Sequence, residues 1–168
     1  LIAVLGVGNL SVRFDPLSDS SARIGARIAA AWRVSEAAVT RPRQIELPVQ
    51  YGGVWGADLG WVAERCQLSE QAVIELHASA RYEVLCLGFL PGFPYLAGLP
   101  KALHCPRRAS PRLKVAAGSV GIGGSQTGIY PCASPGGWQL IGHCPTPLFD
   151  AQTSPLLQAG DVVRFVPQ

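Results

Sequence analysis

The stretch that decides the fold lies between Gly88 and Gly142, where short segments are punctuated by glycine and proline. It reads G-F-L-P-G-F-P-Y-L at 88–96, P-R-R-A-S-P-R at 106–112, G-S-V-G-I-G-G-S-Q-T-G-I-Y-P at 118–131 and S-P-G-G-W at 134–138. Glycine and proline at this density divide a chain into short strands joined by tight turns. Ordinary surface loops are polar, whereas these loops also carry Phe, Tyr and Trp. The pattern predicts shaped, partly buried turns around a site.

Short strands dominate the chain beyond Gly88, and many short strands with Gly/Pro turns predict a closed or nearly closed β-barrel. The predicted strands are 45–50, 82–87, 114–116, 119–122, 128–130, 138–141 and 161–166. Two short helices interrupt them, one over 59–66 after Asp58 as a cap and one after Ser69. The fold class is therefore mainly β, with two short helices in the barrel domain.

The first forty residues predict a partial α+β piece of ββα order. Residues 2–5 are apolar, and Leu10, Val12 and Phe14 alternate with polar neighbours, as in a half-buried strand. Ser20 and Ser21 can cap a following helix. A polar, basic segment from 34 to 44 predicts a linker. The expected organisation is a remnant of an N-terminal α+β domain over 1–40 and the barrel domain over 45–168.

Composition excludes several classes of protein. Apolar residues make up 48% of the 168 residues and charged residues 15%, which predicts a well-cored globular protein. A net charge of +3 gives no indication of nucleic-acid binding. No apolar run is long enough to span a bilayer, and five irregularly spaced cysteines show no zinc pattern. We expect a cytoplasmic protein with reduced thiols and no metal, whose true start lies upstream of Leu1.

An arginine cluster is the first candidate for chemistry. Arg107, Arg108 and Arg112 lie within six residues and are stiffened by Pro106 and Pro111. Arginine's planar fork suits bidentate capture of a carboxylate or phosphate. A solvated basic loop and a salt-bridge anchor are the structural alternatives.

The glycine-rich run at 118–128 does not match a Walker motif or a dinucleotide fingerprint. A β-hairpin whose glycines allow positive φ or close backbone approach is the favoured interpretation. Gln126 and Ser125 can offer hydrogen bonds to an amide or carboxyl group. His77, beside the apolar face of the second predicted helix, is interpreted either as a satisfied structural histidine or as a general acid/base.

Seven motifs together resemble one family of proteins. They are Y-G-G-V-W-G-A-D-L at 51–59, the segments at 88–96 and 106–112 quoted above, G-S-V-G-I at 118–122, Q-T-G-I-Y-P at 126–131, S-P-G-G-W-Q-L-I-G at 134–142 and G-D-V-V-R-F at 160–165. The family is that of allophanate hydrolase subunit 1, which is also known as the B-type subunit of 5-oxoprolinase, the carboxyltransferase domain of C/D type, or the kinase inhibitor. The resemblance covers residues 48–168. The chain departs from the family at His143 and Cys144, where Arg-Thr is usual.

The resemblance implies a cyclophilin-like barrel and a subunit of an ATP-dependent amidohydrolase that opens 5-oxoproline to glutamate. The partner it implies is a second carboxyltransferase-type subunit (allophanate hydrolase subunit 2, or the C-type subunit of 5-oxoprolinase), with a third, A-type amidohydrolase subunit. In this hypothesis Arg107, Arg108 and Arg112 hold a carboxylate or phosphate, Gln126 and Tyr130 orient the amide, and His77 transfers a proton. ATP is the expected cofactor, with the partner subunits.

Two alternatives remain from the same resemblance. In the first, the domain is a binding module that inhibits a sensor histidine kinase, with Phe89, Phe93, Tyr95 and Trp138 as contact anchors, since aromatic residues dominate interface hot spots. In the second, it is the carboxyltransferase component of a biotin-dependent urea carboxylase.

Overall fold

This computed structural model describes residues 1–34, 42–150, 152 and 154–168. The chain divides into two units, Leu1–Arg41 and Pro42–Gln168. Most of the predicted linker lies outside the described residues. The residues of the candidate site all belong to the second unit.

The first unit is a β-hairpin followed by a helix, as its sequence pattern predicts. Strand β1 (Ile2–Gly6) pairs antiparallel with β2 (Asn9–Arg13). Helix α1 spans Ser21–Val34, and the Ser20 hydroxyl accepts a hydrogen bond from the Arg23 N–H at 3.3 Å. That bond satisfies one of the free donors of the first helical turn.

The described part of the second unit contains a closed barrel of seven strands. They are β3 (Gln44–Tyr51), β4 (Tyr82–Leu87), β5 (Pro94–Ala97), β7 (Ser119–Gly123), β8 (Gln126–Ile129), β10 (Gln139–His143) and β11 (Val162–Pro167). The order around the barrel is β10-β3-β11-β4-β5-β8-β7, and β7 pairs with β10 to close it. Strands β3 and β11 are parallel, and the other neighbours are antiparallel. The predicted mainly β barrel is confirmed and is consistent with a cyclophilin-like barrel.

Two helices and a small second sheet complete the unit. Helix α2 spans Leu59–Cys66, and α3 spans Glu70–Ser79 with the Ser69 hydroxyl accepting from the Ala72 N–H at 3.1 Å. Strand β6 (Arg112–Val115) pairs with β9 (Ser134–Gly136) outside the barrel. A 3-10 turn spans Lys101–Leu103.

Side-chain alternation along the barrel strands produces two apolar layers. On β8, Ile129 packs in the main core while Thr127 is buried against α3, and the alternate positions 126, 128 and 130 face the other way. A second cluster forms on that other face from Phe93, Val115, Tyr130, Trp138 and Leu140. This outer layer supplies the walls of the candidate site.

Candidate functional site

A pocket of about 240 Å³ lies over the outer aromatic cluster. Its lining, called here the Arg107 pocket, consists of Phe89, Phe93, Tyr95, Arg107, Pro111, Tyr130, Pro135, Gly136, Gly137 and Trp138. The pocket therefore brings together all four predicted contact aromatics, one of the three predicted anion-binding arginines and the predicted amide-orienting tyrosine. Its volume suits a small ligand, because sites for drug-sized molecules measure about 300–1,000 Å³.

Glycines of the β7–β8 hairpin make room for the indole that forms the floor. A Cβ at Gly123 would lie 2.7 Å from the Trp138 ring, and a Cβ at Gly128 would lie 2.7 Å from the Pro94 carbonyl and 3.1 Å from the ring. Such distances are too short for real atoms, so only glycine allows Trp138 to lie against these strands. The predicted role of the glycine-rich run, close backbone approach within a hairpin, is confirmed.

Phe93 lies at the centre of the aromatic walls. Its ring makes edge-to-face contacts with Phe89, Tyr95, Tyr130 and Trp138, with centroid separations of 5.1–5.5 Å. Each such pair contributes about 0.5–1.5 kcal/mol beyond the area it buries. The walls are therefore preformed by packing among themselves.

Phe89 differs from the other aromatics because it is 61% exposed and its φ is +67°. Positive φ strains a bulky residue and persists only where surrounding contacts hold it. Hydrogen bonds from Leu90 N–H to Gly88 O and from Phe93 N–H to Leu90 O fix this turn. Phe93 and Trp138 are buried, so a partner approaching this surface would meet Phe89 first.

Two of the three arginines are held by a carboxylate of the chain itself. Asp58 Oδ1 accepts from Arg108 Nη1 at 3.1 Å and from Arg112 Nη2 at 2.8 Å. Its Oδ2 accepts from the Leu140 N–H at 2.7 Å. The predicted cap was wrong: Asp58 occupies the N-cap position of α2 but makes no side-chain cap hydrogen bond. The salt-bridge alternative for the arginine cluster therefore describes Arg108 and Arg112.

Arg107 is placed differently from its two neighbours. Its guanidinium carbon lies 5.5 Å from the centroid of the Trp138 ring, in cation–π geometry. Among the described residues, no carboxylate forms an ion pair with it. The cation that faces the pocket is thus available to a negatively charged ligand.

The remaining polar candidates lie on the same face of β8 or just beyond it. Burial raises the pKa of the Tyr130 phenol, although a backbone hydrogen bond with Trp138 and the Arg107 charge partly offset this effect. Gln126 does not line the pocket, and its buried Nε2 atom has no hydrogen-bond partner among the described residues. An unpartnered buried amide is unusual, which keeps Gln126 of interest.

His77 lies on the opposite side of β8 from the Arg107 pocket. It is fully buried, with Nδ1 2.7 Å from the Tyr51 hydroxyl and Nε2 2.9 Å from Thr127 Oγ1. Thr127 donates to the Gly121 carbonyl at 3.0 Å, so its oxygen accepts from His77 Nε2–H, and Tyr51 donates to Nδ1. Burial lowers the pKa of His77 to about 3. The predicted catalytic set is therefore not brought together in one place.

Sequence reasoning missed Asp58 as the anchor of the arginine loop. Its partners lie 50 and 54 positions along the chain, and no local spacing links them. It also missed the stacking of Trp55 on His143, with centroids 4.3 Å apart. Within the described ranges, no three His, Cys, Asp or Glu side chains form a metal-binding group. No helix of the described part is long and apolar enough to cross a membrane.

A closed barrel with an aromatic, arginine-bearing pocket on its outer face defines the structural class, and comparison with known proteins defines the family. The chain belongs to the family of the carboxyltransferase domain, subdomain C and D, whose model matches residues 2–158. The resemblance predicted from the motifs is thereby confirmed.

Individual relatives agree with this assignment. The chain is 55% identical over 168 residues to the 5-oxoprolinase B subunit of Escherichia coli O157:H7, covering 99% of this chain and 77% of that protein. It is 50% identical over 165 residues to the protein of the same name from Haemophilus influenzae, covering 97% and 77%. The crystal structure of TTHA0988 matches with a TM-score of 0.81 and 40% identity, covering 99% of this chain and 32% of that one. The chain thus spans about a third of that solved protein.

Proposed function

We propose that this chain is a subunit of a heteromeric, ATP-dependent 5-oxoprolinase, which opens 5-oxoproline to glutamate together with a second carboxyltransferase-type subunit. The observation that carries the proposal is 55% identity, over 99% of the chain, to a protein named as the B subunit of 5-oxoprolinase. The Arg107 pocket supports it, because 5-oxoproline is a small ring that bears one carboxylate.

The reaction adds water to the lactam carbonyl carbon and breaks its bond to the ring nitrogen. Glutamate then carries a new carboxylate and an amine. A lactam is a poor electrophile, so donors that stabilise the developing negative charge on its oxygen accelerate the attack. We assign the orientation of the amide to Tyr130, which lines the pocket, and give no role there to Gln126, which does not line it. His77 receives no step, because both its ring nitrogens are engaged in the interior.

ATP-dependence is implied by the family resemblance. The glycine-rich run at 118–128 does not fit a phosphate cradle, because its Gly121, Gly123 and Gly128 are packed beneath Trp138. We therefore assign nucleotide binding to one of the partner subunits and derive no step of the reaction through the nucleotide. We assign the exposed surface around Phe89 as the contact with the second subunit.

The proposal is tested by a subunit exchange. The B subunit of the E. coli O157:H7 enzyme is replaced by this chain in a mixture with the other 5-oxoprolinase subunits and ATP, and glutamate is measured. We expect glutamate formation that depends on this chain and on ATP. No glutamate above the level without any B subunit, while the E. coli protein is active in parallel, would overturn the proposal. Repetition with the other 5-oxoprolinase subunits from the organism that encodes this chain separates a mismatch between species from a lack of function.

A further inference from the structure

We infer that this chain itself binds the carboxylate of a small cyclic amide, with Arg107 as the anion-binding residue and the aromatic pocket holding the ring. The inference rests on the proposed function for the identity of the ligand. It goes beyond that function because it assigns substrate recognition to a single arginine of this subunit.

The three arginines of the loop differ in the partners of their guanidinium groups. Asp58 forms an ion pair with both Arg108 and Arg112 and accepts one hydrogen bond from each, so its single negative charge offsets one of their two positive charges. An anion arriving at the pocket would compete there with a carboxylate that is already buried. Arg107 meets no such competitor among the described residues and lines the pocket directly.

The lining of the Arg107 pocket combines apolar surface with a positive charge. Phe89, which is exposed, and Tyr95, which is half-buried, give the pocket an apolar surface against which a small ring can pack, and Arg107 stands above the Trp138 indole. A guanidinium binds a carboxylate through two parallel N–H donors. The pocket offers one exposed cation, which fits one carboxylate better than a phosphate with two charges.

Arg107 is exposed, so water competes for its donors and the charge-assisted bond is weaker than in a closed site. We expect dissociation constants on the order of 1 mM for the isolated chain. Closure by the second subunit would tighten binding, but the isolated chain is predicted to bind measurably.

The experiment compares 5-oxoproline with 2-pyrrolidinone, which has the same ring without the carboxylate. Binding to the full chain is measured by the NMR shift of the Trp138 indole N–H, assigned with a Trp138→Phe variant. Arg107→Gln is expected to weaken 5-oxoproline binding about 10- to 100-fold and to leave 2-pyrrolidinone unchanged. Arg107→Lys, which keeps the charge without the fork, should fall between the two. Lys101→Gln, an exposed cation on the 3-10 turn, is the matched control.

The inference is overturned if 5-oxoproline at about 20 mM, 20 times the expected dissociation constant, produces no shift of the Trp138 indole N–H signal. It is also overturned if Arg107→Gln and Lys101→Gln bind equally well. These failures are distinct from failure of the proposed function. Glutamate formation in the subunit exchange, without binding here, would leave the function standing and move substrate recognition to another subunit. Binding of 5-oxoproline to this chain, without glutamate formation in the subunit exchange, would leave the binding site standing and overturn the proposed function.

Discussion

Replacing Asp58 by Ala removes the anchor that ties the arginine loop to the barrel. The carboxylate side chain is 6% exposed and accepts three hydrogen bonds, from Arg108, Arg112 and the Leu140 N–H. In the variant, the buried Leu140 N–H has no acceptor, and two guanidinium groups lose their counter-charge. We expect a marked loss of stability and a looser loop.

The magnitude follows from how exposed each partner is. An unpartnered buried donor costs about 1–3 kcal/mol. Breaking a fully buried ion pair costs about 3–5 kcal/mol, but Arg108 and Arg112 are 37% and 23% exposed, so water compensates part of this loss. We therefore expect the free energy of unfolding to fall by about 2–4 kcal/mol. For a chain of this size, that corresponds to a Tm lower by about 10 °C.

Urea unfolding and calorimetry at pH 7 measure the effect. Asp58→Asn keeps an acceptor for the Leu140 N–H and loses the charge, so its loss should be about half as large. Glu83→Gln removes the same charge from an exposed position on β4 and serves as the control. A loss below about 0.5 kcal/mol in Asp58→Ala, equal to the control, would refute the anchoring role.

Three further changes have expected outcomes. Gly123→Ala places a methyl group 2.7 Å from the Trp138 ring. The free energy of unfolding should therefore fall by about 1–3 kcal/mol, and the indole fluorescence should shift. A variant with unchanged stability and unchanged fluorescence would contradict this packing. The pKa of His77 in the folded protein, about 3, lies below its ordinary value of 6.5. The contribution of the neutral His77 to stability is therefore fully present above pH 6.5 and is lost as the pH falls toward 3. The slope is about 1.4 kcal/mol per pH unit, and His77→Gln should remove it from urea titrations at pH 4–7; an unchanged slope rules out this histidine as its source. Phe89→Gly relieves the positive φ but loses two ring contacts, so the free energy of unfolding should change by less than about 1 kcal/mol. The affinity for the second subunit, measured by titration calorimetry, should fall at least about tenfold. Unchanged affinity would exclude Phe89 from the interface.

Local patterns predicted much of the fold. Strand 82–87 and helix 59–66 have the predicted bounds because apolar continuity and periodicity act between near neighbours. Strand β5 (Pro94–Ala97) was missed because proline and glycine on either side indicate a turn, and only pairing with β4 and β8 makes it extended. Strand β9 (Ser134–Gly136) was missed for the same reason, since its partner is β6.

The candidate site was less predictable than the fold. The aromatic residues and Arg107 carry a local signal in their Gly/Pro context, and the structure places them in one pocket. The pairing of Asp58 with Arg108 and Arg112 carries none, because it depends on how β10 and the start of α2 meet in space. The position of His77 inside the barrel likewise depends on Thr127 and Tyr51 from distant strands. Roles that depend on tertiary contacts therefore emerged only from the structure.

The most direct test of the account is the KM for 5-oxoproline of the reconstituted complex that carries Arg107→Gln in this chain. The account predicts a KM at least about tenfold above that of the Lys101→Gln complex, because the carboxylate loses its charged partner. Equal KM values in the two complexes would contradict the claim that this chain recognises the substrate through Arg107.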